Sequence, residues 1–314
     1  MNVKIACIVK NEVASIFEWV VHHRVIGCDH FYIADNLSSD NTKYILLNLS
    51  RLGLVTCIDF PNPEDGGKPQ LPAYMELLSY CRNQDNEAIV FIDADEYLLP
   101  MGADSSLTEQ VNHWFADDDV SAVALNWAIF GSSGERFSGE GTVLERFQQR
   151  AKQDFSVNQH YKVIVRPERV IGWANPHHPY LSHGRIVNTR GEDLVLHPKH
   201  GMGLSDGCCW DGMRINHYAV KSLEEFLLGK HLCGSAAKEG RIKHRQYFEL
   251  HDRNDEHCDL AALLAPKVKA EMDRLQALMD ALPDEEPPPA PVAQPAGLWQ
   301  QGMQLARRLG PGKR

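Results

Sequence analysis

AIVFIDADEYLLP, residues 88–100, is a short apolar strand that runs directly into three acidic side chains, Asp93, Asp95 and Glu96. Upstream, β-branched runs alternate with helical patterns: VKIACIV (3–9), ASIFEWVVHHRVIG (14–27), HFYIAD (30–35), NTKYILLNLSRLG (41–53), LVTCIDF (54–60) and AYMELLSYCRN (73–83). With AIVFIDA this reads βαβαβαβ. Parallel neighbours need crossover connections, so the pattern predicts an α/β fold with a Rossmann-like, mixed but mainly parallel sheet flanked by helices. In such sheets ligands lie beyond the carboxyl ends of the strands. The residues there are Lys10, Asn11 and Glu12 after the first strand, Asp35 and Asn36 after the second, and Asp93 to Glu96 after the fourth.

Carboxylates clustered at the end of a strand are costly without a cation. Asp93 and Asp95 are two apart, so in extended backbone they point the same way and approach one hard divalent ion, Mn2+ or Mg2+, bridging the oxygens of a diphosphate. The opposing reading is an acidic turn whose side chains cap nearby amides.

Working outward, VSAVALNWAIFG (120–131) and YKVIVRPERVIGW (161–173) read as further strands that extend the sheet and build an acceptor side. Apolar residues recur at helical spacing over 222–234 and again over 258–282, predicting covering helices. Seven of the seventeen prolines fall between Pro283 and Pro311, so the single catalytic domain is expected to end near 282. The predicted organisation is 1–100 for nucleotide-sugar binding, 101–282 for the acceptor half and covering helices, 283–297 a Pro-rich linker and 298–314 a short basic amphipathic tail. That tail is suited to weak membrane-surface contact, with a frayed end as the plainer reading.

A formal net charge of -10 argues against nucleic acid, which demands a dense basic surface. The N-terminal MNVKIACIVKNEVASIF fits neither a signal peptide nor a spanning helix, which predicts a cytoplasmic protein, at most peripheral at the inner face of the membrane. Eight cysteines without a CxxC pair read as reduced, buried small hydrophobes, and Cys208 and Cys209 near His200 fit no closed zinc pattern.

In order along the chain, VKNE (9–12), IADNLSSDNT (33–42) and FIDADEYL (91–98) resemble the nucleotide-sugar domain of glycosyltransferase family 2, a GT-A-type fold. NWAIFGSSG (126–134), LERF (144–147), YKVIVRPERV (161–170) and INHYAVKSLEEFLLGK (215–230) are similar to the related glycosyltransferase family 92. The match covers roughly residues 3 to 235. The resemblance implies that Lys10, Asn11 and Glu12 border the nucleotide base, that Asp35 and Asn36 contact base or ribose, and that Asp93 and Asp95 form a metal-binding DxD. It further implies His217 as a late metal ligand and Lys221 and Lys230 as neutralisers of the diphosphate. Trp127 to Gly134 resembles an acceptor-side loop in which an aromatic ring stacks on a sugar; the family often has histidine where Glu135 stands here, which puts that position's role in doubt.

The implied reaction is metal-dependent, inverting transfer from a nucleotide-sugar donor, a UDP-sugar in this reading, to a carbohydrate acceptor hydroxyl. Asp211 and Glu135 are the base candidates, since a carboxylate must take the acceptor proton. Three rivals are weaker or different in kind. A haloacid dehalogenase-type phosphatase has its DxD on the opening strand, whereas three βα units precede Asp93. A nucleotidyltransferase needs a Gly-rich loop that IVKNEVAS lacks. A non-catalytic nucleotide-sugar-binding module keeps the pocket and loses the base.

Overall fold

The computed structural model describes residues 1–64, 66–82, 86–102, 106–233 and 243–283. All of the Pro-rich segment after Pro283, and the basic tail 298–314, lie outside the described residues. The alternation read from the sequence is realised as β1 (Asn2–Val9), α1 (Ile16–Val25), β2 (His30–Asp35), α2 (Thr42–Arg51), β3 (Val55–Asp59), α3 (Gln70–Ser79) and β4 (Glu87–Phe91). There follow β5 (Glu96–Pro100), α4 (Leu107–Trp114) and β6 (Val120–Ile129).

Among the described residues one nine-stranded sheet runs β3, β2, β1, β4, Tyr161–Val165, β6, Met213–His217, β5, with Arg185–Val187 also on β6. The first four strands are parallel; Tyr161–Val165 is antiparallel to both β4 and β6, and Met213–His217 is parallel to β6 and antiparallel to β5. Strands from both sides of residue 100 therefore share one sheet. Because two antiparallel steps separate β4 from β6, both end on the same rim.

The two-residue period of a strand divides the core between the faces. Val3, Ile5, Cys7 and Val9 of β1 face a cluster with Trp19 and Val20 of α1, Leu46 of α2 and Val111 of α4. Ala6 and Ile8 face the other side with Tyr74 and Leu77 of α3. Each fully buried aliphatic or aromatic side chain contributes about 1.5–3 kcal/mol, which is why helices must cover both faces.

Prolines moved two helix starts. The run read as AYMELLSYCRN begins at Gln70, because Pro72 is tolerated in a first turn whose N–H groups have no intrahelical acceptor. The C-terminal helix begins at Ala265 rather than 258, with Pro266 in its first turn. The predicted helix over 222–234 is divided into Leu223–Leu228 and Lys230–Cys233. Among the described residues no helix is long and apolar enough to cross a membrane.

β5 is the last strand of the sheet, and side chains of α1 close its outer edge. Trp19 Nε1 donates to the Glu96 carbonyl at 2.8 Å, His22 Nε2 to the Leu98 carbonyl at 2.8 Å, and the Leu98 N–H donates to His23 Nε2 at 3.0 Å. An edge met in this way offers no template for further pairing. His23, whose Nδ1 donates to the Trp19 carbonyl while its Nε2 accepts, must be neutral, and burial lowers both imidazoles, His22 to about 4. Between about pH 6.5 and 4 the unfolded chain holds a proton that the native His22 refuses, so stability is full above 6.5 and falls with pH, by about 2 kcal/mol between pH 7 and 5. Urea unfolding at the two pH values should show a smaller loss for His22→Gln, whose amide still reaches the Leu98 carbonyl; equal losses would reject this assignment.

Candidate active site

The parallel strands deliver their carboxyl ends to one rim. After β1, Asn11 takes a left-handed φ of 56° and its N–H donates to Ser38 Oγ at 2.9 Å, while its Oδ1 accepts from the Ser39 N–H at 2.8 Å. Asp35 accepts from the Ser38 hydroxyl at 2.5 Å and is fully buried; Asn36 Nδ2 donates to the Phe60 carbonyl at 2.8 Å and to Asn62 at 3.0 Å. The Glu12 N–H donates to Thr42 Oγ1 at 2.8 Å, and Lys10 is exposed. Asn11 and Glu12 thus lock the loop after β1 to the one after β2, Asp35 braces that second loop from within, and Asn36 ties it to the segment after β3. Asp35 and Asn36 act from beneath, while Lys10 faces solvent.

The acidic segment is a turn rather than extended strand. The Glu96 N–H donates to the Asp93 carbonyl at 3.0 Å and Glu96 Oε2 accepts from the Asp93 N–H at 3.0 Å. The bend sends the carboxylates different ways. Asp93 accepts from Gln70 Nε2 at 3.0 Å and pairs with Lys162 Nζ at 3.0 Å, and its side chain is 37% exposed. Asp95 meets His217 Nε2 at 3.2 Å and the Lys230 ammonium, and its carbonyl accepts from the Tyr218 N–H at 2.9 Å. Glu96 is wholly buried, 3.7 Å from Lys162 Nζ. The expectation that Asp93 and Asp95 point the same way is corrected: of the three carboxylates only Asp93 meets solvent appreciably, because the turn parts it from Asp95 and folds Glu96 inward.

Lys162 is the residue the sequence reading missed. It is 0% exposed and also reaches Tyr74 Oη at 3.4 Å. A lysine inside the otherwise apolar YKVIV was the available signal, since a buried ammonium needs partners. Burial alone raises the Asp93 carboxyl, but the ammonium outweighs it and holds the group below its ordinary range. Glu96 is raised, by burial first and then by the neighbouring Asp93 charge, against the pull of Lys162. Burial likewise lowers Lys162, and the two carboxylates more than restore it.

His217 ends its strand beside Trp127, ring centroids 4.3 Å apart. Burial lowers it to about 4, so the imidazole is neutral, and its Nδ1 has no partner among the described residues. Neutral imidazole and carboxylate are the forms that bind a metal. Two ligands at right angles around an ion, each about 2.1 Å away, lie about 3 Å apart. Asp95 Oδ2 and His217 Nε2, 3.2 Å apart, fit that spacing with Lys230 standing in for the cation. Among the described residues no three His, Cys, Asp or Glu side chains converge as a ready-made metal cage, so further ligands to an ion would come from a bound molecule or water.

The other expected residues separate. Lys221, at a left-handed φ of 53°, acts electrostatically on Glu18 and Glu225, which are not members of the turn. Glu135 follows β6 on the correct rim and is bound by Arg146 at 2.7 Å, which also holds Glu225 at 2.8 Å. Asp211 pairs with Arg190 and precedes the strand Met213–His217. A strand advances about 3.3 Å per residue, which sets Asp211 more than about 13 Å along the chain from His217, at the opposite rim. Trp127, expected to stack on a sugar, is 8% exposed, with His160 stacked on it at 4.8 Å.

A sequence profile described as glycosyltransferase family 92 matches residues 5–191. A rice protein (Oryza sativa subsp. japonica), described as a glycosyltransferase family 92 protein, is 22% identical over 233 residues, 71% of this chain and 34% of the relative. Among solved structures, S. aureus TarS 1-349 in complex with UDP-GlcNAc is 14% identical over 89% of this chain and 71% of that one, with a TM-score of 0.37. The same protein in complex with UDP is 12% identical over 53% and 47%, at 0.35. The chain spans about a third of the rice relative and about half of the TarS chain solved with UDP.

Proposed function

The chain belongs to glycosyltransferase family 92, and from that premise we propose that it transfers a sugar from a nucleoside diphosphate sugar, a UDP-sugar, to a carbohydrate hydroxyl with inversion at the anomeric carbon. The observation that carries this reading is the Asp95–His217 pair, 3.2 Å apart on the rim where β4, β6 and Met213–His217 all end, with an ammonium on the same carboxylate oxygen.

A divalent ion, Mn2+ or Mg2+, held by Asp95 and His217, would draw charge from the leaving diphosphate. Lys230, freed from Asp95, then offers its ammonium to a phosphate oxygen. Asp93, neutralised by Lys162 yet still partly exposed, accepts hydrogen bonds from the donor instead of ligating the ion. Asn11 and Glu12 shape the rim toward the nucleotide base over the buried Asp35 and Asn36, with Lys10 outside them. Glu135 is the base candidate on the correct rim, and taking the acceptor proton requires that Arg146 release it. Lys221, beside Glu18 and Glu225, reaches a diphosphate only by changing partners. The free, mostly buried cysteines described support a reducing compartment, hence the cytoplasm.

The test is a donor panel: the full chain with manganese and UDP-, GDP- and CMP-sugars, read by melting temperature and slow donor hydrolysis. A UDP-sugar should raise the melting temperature and be hydrolysed. In His217→Ala the manganese concentration for half-maximal hydrolysis should rise about tenfold or more. An unchanged requirement would return His217 to the core, and binding without turnover would identify a non-catalytic module.

A further inference from the structure

Around the start of the helix Leu223–Leu228 three carboxylates, Glu18, Glu135 and Glu225, are set against two cations, Arg146 and Lys221. The Arg146 guanidinium is divided. Its Nε and Nη2 donate to Glu135 Oε2 at 3.0 and 2.7 Å, while Nη1 and Nη2 donate to Glu225 Oε1 and Oε2 at 3.1 and 2.8 Å. Nη2 therefore serves both acids. The other carboxylates nearby are engaged elsewhere: Glu145 with Lys269 at 2.6 Å, and Glu224 with the Ser138 N–H and hydroxyl at 2.8 and 2.6 Å.

Lys221 supplies the second charge from the segment that leaves the rim after His217. Its left-handed φ of 53° is a strained conformation for a residue with a side chain, of the kind that gathers where a chain changes state. Burial raises the Glu18 carboxyl, against the Val143 N–H, which donates to it at 2.9 Å, and the Lys221 ammonium. Burial is likewise opposed at Glu225, by Arg146, Ser222 and then Lys221, and there the opposing groups win and lower the carboxyl. Lys221 thus acts on both acids through space, and among the described residues it forms an ion pair with neither.

We propose that Glu225 is a positioning residue that couples donor binding to the release of Glu135. A diphosphate that draws Lys221 away removes one of the two cations from Glu225. With a side chain 20% exposed, Glu225 then needs the guanidinium more than Glu135, which is 34% exposed and better solvated by water. Arg146 passes wholly to Glu225 as a two-point pair. Glu135, set free, takes the proton of the acceptor hydroxyl as that oxygen bonds to the anomeric carbon, and the bond to the diphosphate breaks with its electron pair. The exchange requires no backbone movement. The Leu223 and Glu224 N–H groups already donate to the Glu135 and Arg136 carbonyls at 3.3 and 3.0 Å, and the Ser222 hydroxyl holds Glu225 Oε2 at 2.6 Å. The inference rests on the transferase reading and names a regulation of the same site: without a donor, the base stays bound to Arg146.

The experiment reads Glu135 directly on the full chain, by carbodiimide labelling and peptide mass spectrometry, with and without UDP and manganese. In the native protein UDP with manganese should speed Glu135 labelling about fivefold or more, the lower end of coupling between two sites. Glu225→Gln keeps the Ser222 cap, which glutamine also serves, but loses the charge that claims Arg146, so labelling should stay slow in both conditions. In Lys221→Met it should be fast in both. On the UDP-sugar that the native chain hydrolyses, Glu225→Gln should lower kcat about tenfold or more, within the ~10²–10⁴-fold that a general base contributes, with donor KM, UDP affinity and melting temperature held. Glu135 labelling unmoved by UDP and manganese, or kcat unchanged in Glu225→Gln, overturns the coupling, while hydrolysis by the native chain would still uphold the transferase reading. UDP-dependent labelling without hydrolysis of any UDP-sugar would keep the coupling and remove the transferase reading.

Discussion

Lys162→Met is expected to lower stability by about 3–5 kcal/mol at pH 7, the cost of leaving buried charge without its partner. The ammonium is fully enclosed, 3.0 Å from Asp93 and 3.7 Å from Glu96. Methionine fills nearly the same volume, so a cavity is not the source of the loss. The carboxylate most affected is Glu96, which is equally enclosed and already raised by burial. Without the ammonium it takes up a proton more readily, so the destabilisation should shrink toward pH 5. Glu96→Gln added to Lys162→Met removes the stranded charge and should recover part of the stability. Urea unfolding of the two variants at pH 7 and 5 checks each step. A loss below about 1 kcal/mol, or no recovery in the double variant, would mean that Lys162 is held by packing and that the turn does not depend on it.

The second large effect concerns turnover. Asp95→Asn should reduce manganese-dependent sugar transfer at least about 10²–10³-fold, the range seen when one electrostatic contact to developing charge is removed. The fold should persist, because the Asp95 carbonyl, not its carboxylate, receives the Tyr218 N–H, and an amide oxygen still accepts from Lys230. Steady-state donor consumption with a manganese titration, beside a melting curve, separates the two. Activity within a few-fold of native would remove the metal-binding role from this turn. Asp93→Asn should act differently: its carboxylate faces Lys162 and Gln70, so a stability change accompanies any loss of donor binding.

How much of this was legible follows from the range over which each signal acts. Strand and helix periods are local, so β1 to β4 and the acidic cluster after β4 stood in the sequence, as did the rim where Asn11, Asp35 and Asp95 gather; that the cluster is a turn and not extended strand, which parts Asp93 from Asp95, did not. Helix starts at Gln70 and Ala265 were displaced because proline accepts a first turn and rejects an interior, a rule the apolar period does not express. The lysine in YKVIV was visible as an anomaly, yet nothing local named its partners; Asp93 is 69 positions away by number and adjacent only because Tyr161–Val165 pairs with β4.

By itself, then, the sequence determined the α/β class and which residues follow each parallel strand toward the ligand-facing rim, since each depends on hydrophobic period and on residues within a few positions. The tertiary structure alone decided that Asp93 belongs to Lys162 and Asp95 to His217, that Asp211 sits on the opposite rim, and that Trp127 is enclosed by His160 and His177. Those outcomes depend on which strands become neighbours and in which direction they run, and a buried charge or an imidazole tautomer is set by the group placed against it across the sheet.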